Sequence, residues 1–333
     1  MIAPGLVAIE AEMARQHADA LDSVAAGKPV AAIIATSIRK TGRLLLLGMG
    51  GSHWVNRTAA RAYRELGVDA TAEVVSDMLG VLPSAVPRTV LIVSQSGQSG
   101  EIVRYLREEA GADERFGLTL DAASPLGRSV PCLIGSGGPE RAFAATRSLL
   151  ISHALHLAVL ASLGLDPIEA LAALAEPETV EIEAALDALA ACSTFVVSGR
   201  GWLAGVAEAG ALCLMELARC SALGFEAGQL RHGPMEALTS QTGVIILRGA
   251  KSADLDAALA ADCRSAGCPV VVLDGSGSNA VRGVHTLSVG PSDGMAAVFD
   301  MLPTLQRLLV EVAAARVADV GTPIRSNKIT VTP

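Results

Sequence analysis

Aromatic residues make up only 3% of this 333-residue sequence. The core therefore cannot rest on large rings; alanine, valine and leucine must fill it, packed at close range. Positive charge is the scarcer sign: 26 Lys and Arg stand against 34 Asp and Glu, a net charge of −8. A general nucleic-acid binder needs a basic face, so no nucleic-acid partner is expected. No block of like charges occurs, so neither a polybasic arm nor an acidic tail is present. The six cysteines (Cys132, Cys192, Cys213, Cys220, Cys263 and Cys268) form no CxxC pair and no zinc-spaced cluster with histidine. They read as small core fillers in a reducing cytoplasm, and no metal is expected.

Long apolar runs are also missing. The most membrane-like stretch, Ser148 to Leu165, is barely long enough to span and carries two histidines and three serines. It reads as a buried core helix, and no membrane partner is expected. Glu10, Glu12 and Asp19 stand where a secretory leader would be basic and then apolar, so a cytoplasmic location is expected. GMGGSH lacks the third glycine of a dinucleotide fingerprint, and no GK[ST] occurs. No cofactor is expected.

Apolar residues reach 51%, enough for two domains of ordinary size. Helical periodicity over about residues 5–41 is predicted to break into two segments near Gly27 and Pro29. Short apolar runs then alternate with helical stretches, the pattern of a parallel sheet covered on both faces. Predicted strands are 43–48, 71–76, 89–94, 115–120 and 131–136, followed by a long helix at 144–164. A charged helix at 178–191 precedes further strands at 194–199, 243–248, 269–274 and 284–289, with helices at 202–222 and 295–319. The two halves overlay: strand, glycine turn and helix, then strand, polar turn and helix. The expected organisation is N-terminal helices (1–40), one α/β domain (41–168), a second (178–320) and a C-terminal tail (321–333), the two domains being joined near 165–178.

The copies differ where chemistry would sit. After its strand the first has Ser94-Gln95-Ser96-Gly97-Gln98-Ser99; the second has "RGAKSA". Ligands of open α/β sheets sit beyond the carboxyl ends of the strands, where helix N-termini and hydroxyls attract anions. Ser94, Ser96 and Ser99, with the N–H groups around Gly97, are candidates to wrap phosphate oxygens. The turn Gly48-Met49-Gly50-Gly51-Ser52 has the same placement: Gly50 and Gly51 would let backbone approach a ligand, and Ser52 would cap the next helix.

SQSGQS after a strand, with GMGGS before it, resembles the sugar-isomerase (SIS) domain family. The doubled arrangement is similar to the isomerase half of glucosamine–fructose-6-phosphate aminotransferase. The resemblance implies two tandem SIS domains, each a flavodoxin-like three-layer sandwich, and a homodimer. It also implies that the loop, with Ser52, Ser94, Gln95, Ser96, Gly97 and Ser99, holds the phosphate of a phosphorylated sugar substrate.

Further motifs match in order. Glu216 sits among apolar neighbours in "AGALCLMELARC"; a carboxylate there is costly unless used or paired, and solvent exposure beside Arg219 is the plain alternative. By resemblance, Glu216 moves a proton between C1 and C2 of the sugar. His232, in the turn "GQLRHGP", would open the ring across a dimer interface. Lys328 in "RSNKITVTP" alone reads as a solvated terminal lysine; by resemblance it folds over the sugar near its reactive carbons. Cys213 stands where the aminotransferase has a lysine. The pattern begins near residue 40, so no glutamine-hydrolysing domain is expected. The implied activity is aldose–ketose isomerisation, or deamination or deglycation of an amino-sugar or fructosamine 6-phosphate. The alternative is a sugar-phosphate-binding regulator without catalysis.

Overall fold

The computed structural model of the chain describes residues 3–331. Helix α1 (Pro4–Thr41) is followed by β1 (Arg43–Gly48), α2 (Gly51–Glu65), β2 (Asp69–Val74) and α3 (Val75–Met78). Next come β3 (Arg88–Val93), α4 (Gly100–Tyr105), β4 (Asp113–Thr119), α5 (Pro125–Ser129), β5 (Cys132–Ile134) and α6 (Arg147–Leu163). The later half holds α7 (Ile168–Ala175), α8 (Glu183–Leu189), β6 (Thr194–Gly199), α9 (Leu203–Leu217), β7 (Ser221–Glu226) and α10 (Ala227–Leu230). It closes with β8 (Thr242–Arg248), α11 (Ala253–Ser265), β9 (Val270–Asp274), β10 (His285–Ser288) and α12 (Gly294–Ala314). Two compact units result: Ala11–Ile168 with the segment from Pro323 onward, and Glu169–Thr322 with the residues up to Glu10.

Each unit is built on one five-stranded sheet. The orders are β2-β1-β3-β4-β5 and β7-β6-β8-β9-β10, the same topology twice, and every pairing is parallel. Sequence explains which strands lie inside. Central strands such as RLLLLG and TGVIILR carry continuous apolar runs buried on both faces, whereas the edge strands are only partly buried. Each fully buried Val, Leu or Ile contributes roughly 1.5–3 kcal/mol.

The nine expected strands lie within two residues of those observed. The tenth, β7, is an edge strand, and "SALGFE" carries no continuous apolar run. Its Gly224 is required because α9 packs on it: a Cβ there would sit 2.4 Å from Glu208 Cα. The expected break near Gly27 and Pro29 does not occur; α1 is one helix of 38 residues with Pro29 inside. Ala31, Ile34, Ala35 and Ile38 bury one face almost completely, and a Cβ on Gly27 would meet Leu133 at 2.9 Å. That packing outweighs the roughly 3 kcal/mol a helical proline costs. Helix α6 is the buried core helix read from Ser148–Leu165, with residues 147–160 all buried.

Two buried polar clusters, one ionic and one neutral, hold the first unit. Arg147 is fully buried and bonds Glu12 (2.5 Å) on α1 and Asp19 (2.9 Å). Burial by itself would raise the Glu12 pKa, but the Arg141 N–H and the Arg147 guanidinium pull it below the ordinary value. Between α2 and α6, His156 Nε2 faces Asn56 Oδ1 (3.2 Å), an acceptor only, so Nε2 carries the proton. Nδ1 then accepts from Tyr63 OH (3.2 Å), and the ring is neutral.

Burial holds His153 and His156 down to about 3. Because these folded-state values lie below the ordinary 6.5, their stabilisation is complete above 6.5 and is lost as pH falls. From about pH 7.5 to about pH 5.5 the unfolding free energy is expected to drop by roughly 1–3 kcal/mol. His153→Leu should flatten that slope; urea denaturation at each pH measures it, and a midpoint indifferent to pH would contradict the neutral pair.

Candidate active site

In the order β2-β1-β3-β4-β5, the chain leaves β1 toward one edge for β2 and returns to its other side for β3. The switch point, where open α/β sheets take ligands, therefore lies between β1 and β3. Both polar turns read from the sequence emerge there, since Leu44–Leu47 of β1 pair with Thr89–Ile92 of β3.

The Ser94–Ser99 turn is held by its own hydroxyls. Gly97 N donates to Ser94 Oγ (3.0 Å), and Gln98 N donates to Ser96 Oγ (3.3 Å). The N–H groups around Gly97, expected to face a ligand, are thus turned inward. Each serine oxygen is occupied as an acceptor, so its own proton must be directed to another acceptor. Ser94 and Ser96 are buried, whereas Ser99 is half-buried and makes no side-chain cap. The Gln95 carbonyl accepts from Leu120 N (3.0 Å) and Thr119 Oγ1 (3.2 Å), tying the turn to β4. Helix α4 spans only six residues. Arg115 captures the carbonyls of Tyr105, Glu108 and Glu109 at 2.9–3.2 Å and ends it. So short a helix contributes little dipole to the turn.

Gly97 is irreplaceable on two counts: its φ is 61°, and a Cβ would lie 2.2 Å from Ser124 Oγ. In the first turn, Gly50 takes the N-cap position of α2 with φ 51°, so Ser52 lies inside the helix's first turn instead of capping it. The space beside Gly51 is filled by Leu149, 2.9 Å from an added Cβ, and not by room for a ligand.

The tail from Pro323 belongs to this unit and reaches the turn. Gly100 N, at the start of α4, donates to Thr330 O (2.9 Å). Lys328 Nζ bonds Glu140 Oε2 at 3.0 Å. Glu140, 3% exposed, went unnoticed in the sequence. Its Oε1 accepts from Thr146 N (2.9 Å), Thr146 Oγ1 (3.2 Å) and Ser148 N (3.2 Å), and its Oε2 from Ser148 Oγ (2.6 Å). Its carbonyl receives Gln95 Nε2 at 3.4 Å.

Glu216 and His232 lie in the second unit. Glu216 is half-buried on α9. Arg219, considered as its partner, lies beyond the helix end with φ 53° and bonds Asp319 (2.9 Å) and Thr322 O (2.8 Å). Burial, together with the Glu216 carboxylate beside it, pushes the Cys213 thiol well up, so it stays neutral. His232 is exposed beyond α10. The switch point of this sheet holds basic residues, but each has a carboxylate: Arg200 bonds Asp256 (3.0 Å), Arg248 bonds Asp274 (2.6 Å) and Lys251 bonds Asp293 (2.6 Å). Among the described residues, no cluster of three His, Cys, Asp or Glu is suited to a metal ion.

Residues 188–310, which lie within the second unit, match the family model described as SIS domain. The first unit, with the SQSGQS turn, lies outside that match. The chain is similar to the isomerizing glutamine–fructose-6-phosphate aminotransferase of Gluconobacter oxydans, 26% identical over 316 residues. The match takes in 86% of this chain but 50% of that protein, so the chain spans about half the length of this relative. The tagatose-6-phosphate ketose/aldose isomerase of Escherichia coli shares the fold with a TM-score of 0.79 at 19% identity, covering 98% of this chain and 99% of that one. A glucosamine-6-phosphate deaminase from Thermotoga maritima does so with 0.71 at 17%, covering 93% and 99%.

Gly97→Ala is expected to destabilise the first unit by about 1–3 kcal/mol, through a left-handed backbone and the clash with Ser124. Chemical denaturation measures it; wild-type stability would refute the tight turn.

Proposed function

We propose that this chain processes a phosphorylated sugar, and that both units are SIS domains, the first serving to hold the phosphate. The observation that carries the reading is the Ser94–Ser99 turn at the switch point. There Ser94 and Ser96 accept from backbone amides and so present their hydroxyl protons to a further acceptor. A phosphate oxygen suits such donors, and Ser52 and Ser99 extend the set. The similarity to an aminotransferase that isomerises a hexose 6-phosphate and the shared fold with isomerase and deaminase structures support the same class.

In the proposed mechanism His232 assists ring opening. Glu216 removes the proton from C2 of an aldose and returns it to C1, through an enediol. The reverse run converts a ketose, and an amine at C1 or C2 gives the corresponding enamine. Cys213 cannot supply positive charge, being a neutral thiol. That favours a substrate whose own amine supplies it, as in deamination or deglycation of an amino-sugar 6-phosphate.

Incubation in deuterated water with glucose, fructose, tagatose and glucosamine 6-phosphates tests both branches. NMR is expected to show deuterium entering at C1 or C2 of one of them, with ammonia release marking deamination. Glu216→Gln should slow that exchange at least ~100-fold while phosphosugar binding persists. Exchange at the wild-type rate in the variant would remove Glu216 from the mechanism. Binding without exchange for every sugar would leave a non-catalytic sensor.

A further inference from the structure

Apart from Lys328 and Ile329, which are half-buried, the tail is exposed from Thr322 to Val331. Two polar tethers hold it on the first unit: the Lys328 ammonium on Glu140 (3.0 Å) and the Thr330 carbonyl on Gly100 N (2.9 Å). The second tether falls on the residue next to Ser99 of the turn.

The two partners of the ion pair are unequally prepared. Glu140 sits in a socket that is complete without the tail, since Thr146 and Ser148 supply four donors from the start of α6. A buried carboxylate losing its only partner would be strongly disfavoured; this one keeps hydrogen bonds on both oxygens when the lysine leaves. Lys328 has no such second support among the described contacts. The socket therefore keeps its own hydrogen bonds with or without the lysine. Meanwhile Gln95 of the turn donates to the Glu140 carbonyl, which links socket and turn directly. An ammonium has three protons; one goes to Glu140 and two remain for another acceptor.

We propose that Glu140 is a positioning residue: it seats Lys328, and with it the tail, against the Ser94–Ser99 turn, supplying the single cation that this turn lacks. The inference rests on the phosphosugar reading for its ligand, but not for the latch itself.

Hydrogen exchange on the full chain separates the two. Without any sugar, Lys328→Met and Glu140→Gln are each expected to speed exchange of peptides covering Gly100 and residues 327–331 by roughly tenfold. The β1 peptide should not change, showing that the fold is intact. Lys328→Arg should restore part of the protection. The double variant should be no worse than either single one, because both remove one contact. If Glu140→Gln does not fold, Lys328→Met and Lys328→Arg carry the test. Tail exchange unaltered in Lys328→Met would overturn the latch. Fructose 6-phosphate is then titrated. Weaker binding, by about tenfold, in both Lys328→Met and Glu140→Gln supports positioning. Equal binding by wild type and variants overturns it while leaving the phosphosugar reading intact. If neither fructose nor glucosamine 6-phosphate protects residues 94–99 in the wild type, that reading fails, and with it the assignment of a ligand to the latch.

Discussion

A carboxylate taken out of water must be met by donors, and much of the first unit's candidate site follows from how Glu140 is met. Thr146 and Ser148 can reach it only if α6 starts where it does. That start places Leu149 against Gly51 and fixes the turn after β1. One residue before Ser148, Arg147 is anchored to Glu12 and Asp19 of α1. A buried anion and a fully buried cation, seven positions apart, thus orient one helix against two turns and a 38-residue partner helix. Removing one member of such a set costs far more than its net contribution, because the remaining charge is stranded.

The two units share a strand order but spend their polar groups differently. In the second, Arg200, Arg248 and Lys251 are each committed to a carboxylate near the switch point. In the first, the corresponding turn has no charged residue and retains hydroxyl donors. Duplicate architecture therefore does not mean duplicate function. The proposed division gives the first unit the grip and the second the proton transfer, with Glu216 on α9.

Sequence showed the sheets well because central parallel strands must be apolar throughout: β1 and β6 have the bounds expected from RLLLLG and TFVVSG. It failed where tertiary contacts decide. Strand β7 depends on α9 pressing onto Gly224. The brevity of α4 depends on an arginine of β4 taking its carbonyls. The continuity of α1 through Pro29 depends on the face it buries. At the site, the turn was legible as a cluster of hydroxyls, but not the direction of their bonds. Glu140 was not legible at all, since its ion-pair partner lies 188 residues away.

The direction of those bonds bears on what a neutral cup can do. A fixed arginine or lysine holds a phosphate dianion by charge, and a site built so tends to hold product as firmly as substrate. Hydroxyls polarised by backbone N–H groups orient the same oxygens with directional bonds of modest strength. Orientation, not affinity, is what a proton transfer between neighbouring carbons needs from a remote phosphate, because the reacting carbons must be presented to one carboxylate. In the proposed reading, the Lys328 ammonium seated on Glu140 adds the attraction that the hydroxyls lack. On that reading the neutral turn supplies orientation and the lysine supplies charge, so the two demands fall on different groups.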